Sequence, residues 1–197
     1  MNRKKIAAMV VFGLTMTTCS TPAVGQMTQE EYVNSANVYQ RQSILNMLEA
    51  QRIKQTQLEA EAEAARKLEA DTALMNKTIK KLNSYVNKTW YVFSGVTPSG
   101  WDCSGLVLWF YEQQGISLEH RASAQDDAGT KTKTPKPGDI VVFKYNGSKQ
   151  AYHVGIYIGD GKMIHAPKRG HVTRIEDVDS FGGSYSKVSY RTLIETN

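Results

Sequence analysis

The sequence predicts an α+β domain preceded by a long N-terminal helical stalk, and three observations carry that expectation. Residues 26–94 hold neither glycine nor proline and are rich in Ala, Glu, Gln, Lys and Leu, the composition of long helix. Beyond Ser94 glycines recur, and short β-branched or aromatic runs stand between turn residues. In that later region a strongly apolar helix comes first and several strands joined by short turns follow, the order of an α+β fold.

A length of 197 residues suits one ordinary domain with an extension. The opening stretch, MNRKKIAAMVVFGLTMTTCSTPAVGQ, sets Arg3, Lys4 and Lys5 before an apolar run too short to span a bilayer, then small residues. This is the layout of a secretory leader. Ala23-Val24-Gly25 fits the small-x-small cleavage rule, so residues 1–25 are expected to leave and Gln26 to begin the mature chain. Thr17-Thr18 suit a lipid-anchor site poorly, so release into a secreted, periplasmic or cell-envelope setting is expected rather than lipid anchoring at Cys19. Loss of the three leader cations lowers the net charge from +5 to +2. That mild balance suits an anionic surface and, without an arginine-rich face or zinc-finger spacing, gives no ground for a nucleic-acid partner. Cys103 then remains as the only thiol in an oxidising compartment, either buried and inert or reactive.

Within the stalk, Leu48, Leu58 and Leu68 keep no clean heptad, whereas Met75, Ile79, Leu82 and Val86 follow 4-3-4 spacing and make one apolar stripe. The pattern divides the region into a solvated stalk or weak coiled coil over 28–70 and an amphipathic helix over about 72–88, packed on the domain that follows. The domain boundaries expected are therefore 26–71 and 72–197. The stalk reads as a spacer, with self-association or docking through this helix as its rival.

In the compact domain, Trp101 to Gln114 predicts a helix with Asp102 as N-cap and Gly115 just past its end. Leu106, Val107, Trp109, Phe110 and Tyr111 leave it little polar surface, so it should be central and buried. Pro135 to Asp139 turns into a strand over Ile140–Phe143, and His153–Ile158 with Lys162–Ala166 makes a hairpin about Gly159-Asp160-Gly161.

Cys103 follows the cap, which sets its sulfur at the positive end of a helix whose free N–H groups favour a thiolate. The Asp102 charge opposes that, so a histidine is needed beside it. The hairpin carries two, His153 and His165. A two-residue turn would set them on opposite faces. A three-residue turn with Gly161 left-handed pairs Ile158 with Lys162 and sets both on one face, with Val154, Ile156, Ile158, Ile164 and Ala166 gathered on the other. The three-residue turn is expected because it keeps one face apolar, and it supplies a base with an orienting partner. His120 and His171 read as surface or loop residues. Cys103, His153 and His165 lack a fourth ligand and any paired-cysteine or His-x-x-x-His spacing, so neither metal nor cofactor is expected.

The run YVFSGVTPSGWDCSGLV (Tyr91–Val107), the Pro-Gly-Asp turn before a strand, and HVGIYIGDGKMIHAP resemble the NlpC family of bacterial cell-wall cysteine peptidases over about residues 75–194. The resemblance implies a reduced papain-like fold, with a helix presenting the cysteine against a small antiparallel sheet. It also implies cleavage of peptidoglycan stem peptides, commonly between γ-linked D-glutamate and a diamino acid, through a thioester. Carried over by position, Cys103 would be the nucleophile, His153 the general base and His165 its orienting group. Tyr91 would donate to the oxyanion, and Asp102 and Ser104 would help bind a free substrate amine. Two departures fall in Trp90-Tyr91-Val92-Phe93-Ser94-Gly95, where Trp90 replaces a proline and Ser94 a glycine of many members. The same scaffold could serve as an amidase or acyl transferase, and the stalk keeps open a wall-associated or phage-virion assembly component.

Overall fold

The computed structural model describes residues 28–196, so the expected leader and Cys19 lie outside the described residues. The chain divides into two compact units, one ending at Gln55 and the other running from Thr56 onward. From Gln29 onward the described residues of the first are helix, with Val38, Ile44, Leu45, Met47 and Leu48 exposed.

The helix, α1 (Gln29–Asn83), is unbroken and runs through the boundary expected near residue 71. There Lys67 pairs with Asp71 at 2.6 Å, and Thr72 Oγ1 donates to the Leu68 carbonyl at 2.7 Å. The last turns of α1 carry Met75, Ile79 and Leu82 of the stripe read from sequence, while Val86 lies in the turn beyond Asn83, where the helix ends short of the expected residue 88. Met75 and Leu82 are buried in the main core, and Ile79 and Val86 pack against it.

In chain order there follow β1 (Val96–Thr97), β2 (Gly100–Trp101), α2 (Cys103–Glu112), α3 (Ala122–Ala128), β3 (Thr130–Thr132), β4 (Ile140–Tyr145), β5 (Ala151–Gly159), β6 (Lys162–His165), β7 (Arg174–Asp177), α4 (Val178–Gly182) and β8 (Ser186–Thr192). β1 and β2 form a small ribbon, and the other six strands form one antiparallel sheet in the order β3-β8-β4-β5-β6-β7. One face of the sheet supplies Ile140, Val142, Val154, Ile156, Ile164 and Ala166 to a core shared with α2 and the end of α1. The other supplies Val141, Phe143 and Met163, which pack with Val178 and Phe181 of α4. A buried Trp101 Nε1–H donates to Thr173 Oγ1 at 2.7 Å and ties β2 to the chain entering β7.

The β5–β6 turn differs from the expected one. Gly159 pairs with Lys162 across a two-residue turn in which Asp160 and Gly161 both have positive φ (51° and 71°). A bulge between Tyr157 and Gly159 then absorbs Ile158, and Tyr157 pairs with Met163 and Ile156 with Ile164. The extra residue restores the parity a three-residue turn would give, so His153 and His165 share a face after all. The burial pattern decides it: the register is set by which face must be dry, and the turn adapts.

Candidate active site

Cys103 opens α2, a helix started by its neighbour. Asp102 Oδ1 accepts from the Gly105 N–H at 2.8 Å, while Ser104 Oγ donates to the same oxygen at 2.9 Å. Oδ2 accepts from the Ser94 N–H at 3.0 Å, which holds Ser94 in the left-handed region (φ 58°). The helix start also presses on the preceding loop, since a Cβ on Gly105 would lie 1.9 Å from the Gly95 carbonyl oxygen. Only glycine allows that backbone contact, which fixes where the sulfur points.

Cys103 is half-buried, and the N–H of Val154, the residue that follows His153 in β5, favours its thiolate. His153 is buried, and its Nε2 lies 2.7 Å from His165 Nδ1. Gly155 stands opposite His165, and a Cβ there would come within 3.1 Å of both His165 Cβ and Met163 Sδ. The bare glycine leaves the space in which the two imidazoles meet. Phe181 of α4 closes over both rings, with centroids 4.7 Å from each.

The chain goes further than the sequence indicated. His165 Nε2 lies 2.8 Å from Glu176 Oε2, Arg174 donates to Glu176 Oε1 at 3.1 Å, and Arg174 NH2 donates to His171 Nδ1 at 2.7 Å. His153, His165, Arg174 and Glu176 occupy one sheet face across the neighbouring strands β5, β6 and β7.

The NlpC/P60 family model matches residues 88–193, more than half of the chain and all of this chemistry. The chain belongs to the NlpC/P60 family. It is 39% identical over 102 residues to a probable endopeptidase of Mycobacterium tuberculosis, covering 51% of this chain and 26% of that protein. It is also 39% identical over 83 residues to the gamma-D-glutamyl-L-lysine dipeptidyl-peptidase of Bacillus subtilis, covering 41% of this chain and 28% of that one. It thus spans about a quarter of the length of these curated relatives. Among solved structures, the NlpC/p60 domain of the peptidoglycan hydrolase SagA superposes with a TM-score of 0.52 at 30% identity, covering 60% of this chain and 98% of that chain. The reduced papain-like fold follows, with the helix that begins at Cys103 packed on an antiparallel sheet.

In this NlpC/P60 site, burial and the neighbouring Asp102 push the Cys103 thiol up to about 11, against backbone N–H groups of Val154, Ser104 and Cys103 that favour the thiolate. Burial and the adjacent His165 push His153 well below the usual histidine value. Burial lowers His165 to about 4 although Glu176 pulls the other way. Both shifts favour a thiol and a neutral imidazole over the thiolate that the helix end alone would favour.

Tyr91 is half-buried beside this pair. Burial raises its hydroxyl pKa, and Cys103 and Asp102 add to the rise through their negative charge. Asp102 and Ser104 turn inward and are nearly buried. Burial by itself would raise Asp102, but hydrogen bonds from His120, the Gly105 N–H and Ser104 hold it below the usual carboxylate value. His120 lies in a loop as expected, yet it is half-buried with Nε2 2.9 Å from Asp102 Oδ1. A sequence reading has no register for a loop, so this pairing was invisible. Glu176 and Arg174 left a fainter signal: they flank Ile175, so strand alternation sets them on one face once β7 is known to exist. A cleft of about 530 Å³ lined by Leu68, Asp71, Ile116, Leu193 and Ile194 lies elsewhere and includes none of these groups.

Proposed function

We propose that this protein is a cell-envelope cysteine endopeptidase that cleaves peptidoglycan stem peptides after γ-linked D-glutamate. The observation that carries the reading is a half-buried thiol at the start of α2 whose thiolate is favoured by the N–H of Val154, the chain neighbour of a His153 that meets His165 at 2.7 Å. The Bacillus relative, whose name specifies a γ-D-glutamyl-L-lysine bond, supports that bond class.

In the proposed reaction His153 Nδ1 takes the Cys103 proton as sulfur bonds to the scissile carbonyl carbon. The free N–H groups at the start of α2 and the Tyr91 hydroxyl stabilise the oxyanion. His153 passes the proton to the leaving amine, the C–N bond breaks, and a thioester remains. Water then gives a proton to His153 while its oxygen bonds to the acyl carbon; the C–S bond breaks and the proton returns to sulfur. Because the pair rests neutral, His153 acts as a true general base when substrate arrives. Asp102 Oδ2, with the Ser94 N–H as its one internal donor among the described residues, keeps a lone pair for the substrate's free amine.

The amidase and acyl-transfer readings share the thioester and differ in the acceptor. Digestion of a synthetic L-Ala-γ-D-Glu-diamino acid peptide, followed by product mass spectrometry, separates them. Release of L-Ala-γ-D-Glu and the free diamino acid is expected, and an intact peptide bond there refutes the reading. Cys103→Ala should abolish the release while the circular dichroism spectrum is unchanged. The N-terminal helix is proposed to act as a spacer from its start at Gln29 to about residue 71. Self-association through Val38, Ile44, Leu45 and Leu48 would appear as concentration-dependent sedimentation, lost when those four become Gln.

A further inference from the structure

We infer that Glu176 is a positioning residue: acting through His165, it dictates which nitrogen of His153 is free to take the Cys103 proton. The inference rests on the proposed peptidase chemistry and adds to it a residue outside the nucleophile, base and orienting group.

Donor and acceptor inventory leads from one end of the chain of contacts to the other. An ionised carboxylate only accepts, so the 2.8 Å contact from Glu176 Oε2 requires a proton on His165 Nε2. Neutral imidazole carries one proton, so His165 Nδ1 is then an acceptor. The 2.7 Å contact with His153 Nε2 must be donated by His153. His153 in turn keeps its one proton on Nε2, and its Nδ1 lone pair is the base. Reversal of the first contact reverses every later one, and His153 would then present an N–H where the thiol needs a lone pair.

The carboxylate is held for this purpose. Glu176 sits on β7 at the edge of the sheet, opposite Met163 and diagonal to His165. Its two oxygens are divided, Oε2 to His165 and Oε1 to Arg174 NH1, while the other arm of the guanidinium donates to His171 Nδ1. Arg174 can only donate, so it fixes which side of the Glu176 head group must be an oxygen.

That division makes the isosteric variant informative. In Glu176→Gln the single amide oxygen is claimed by Arg174, which turns the NH₂ toward His165 Nε2 and forces the reversed tautomer. Addition of Arg174→Met frees the amide to flip and present its oxygen to His165 instead. A residue that merely supported the sheet would show the opposite order, with the double variant worse than the single one.

The test uses the full chain with ¹⁵N-labelled imidazoles and a synthetic L-Ala-γ-D-Glu-diamino acid peptide. In the wild type, ¹⁵N spectra should report His153 and His165 as Nε2–H. In Glu176→Gln both should shift to Nδ1–H, with kcat reduced about 10- to 100-fold, the cost of leaving one buried hydrogen bond unmade. KM should stay within about twofold. In Arg174→Met/Glu176→Gln the Nε2–H tautomers and most of kcat should return. Unchanged tautomers in Glu176→Gln, a wild-type kcat, or a double variant no better than the single would each overturn the inference. Cleavage that survives Cys103→Ala would sink the peptidase chemistry instead, while the tautomer readout, which needs no substrate, would still judge Glu176.

Discussion

Acidification should destabilise the protein through histidines that the fold keeps neutral, and the buried His165 allows the loss to be worked out. In the unfolded chain His165 titrates near 6.5, and in the folded one near 4. The native state thus refuses a proton that the unfolded state accepts. The stability this contributes is fully present above 6.5 and falls away as pH drops toward 4. Between pH 7 and pH 5 His165 alone removes about 2 kcal/mol by this linkage. His153, also lowered by burial and by His165, acts in the same direction. Asp139, raised by burial, acts in the opposite direction as it takes up its proton, so a comparison with His165→Asn is needed to cancel other groups. Urea midpoints followed by the fluorescence of the buried Trp101 and Trp109 supply the assay. The wild type should lose about 2 kcal/mol more than His165→Asn over this range. An equal loss in both proteins, or none in either, would refute the reasoning.

Three further outcomes follow from the geometry. Leu82 is fully buried and Leu58 half exposed on the same helix, so Leu82→Ala should cost about 2–5 kcal/mol in urea unfolding and Leu58→Ala less than about 0.5. Gly105→Ala would drive a Cβ to 1.9 Å from the Gly95 oxygen, so it should cost about 1–3 kcal/mol and lower kcat by displacing Cys103, as measured by melting and peptide turnover. Because His153 must be unprotonated to act and burial lowers its pKa, kcat/KM should rise with pH along an acid limb whose midpoint lies below 6.5; a midpoint at 7 or above contradicts the assignment.

Legibility in the sequence followed the range of each interaction. The Asp102 cap, the start of α2 and the apolar stripe of Met75, Ile79, Leu82 and Val86 depend on neighbours within a few residues, and the structure has them where the spacing set them. The shared face of His153 and His165 was also legible, since the need for a dry face fixes parity whatever the turn. The turn itself was not, because a two-residue loop with a bulge and a three-residue loop leave the same alternation behind. The boundary expected near residue 71 came from a change in apolar spacing, and a helix can cross such a change without a break in its backbone. Glu176, Arg174 and the His120–Asp102 contact depend on strand order and loop paths, which no local pattern encodes.

The proposed chemistry stands on a thioester between Cys103 and the γ-D-glutamyl group. Rapid acid quench of the enzyme with L-Ala-γ-D-Glu-diamino acid peptide, followed by intact-protein and peptide-map mass spectrometry, looks for that bond itself. The prediction is a transient adduct with the mass of the acylated L-Ala-γ-D-Glu unit, located on Cys103, labile to hydroxylamine and absent from Cys103→Ala. Product release with no adduct at any quench time, or an adduct on another residue, would contradict it.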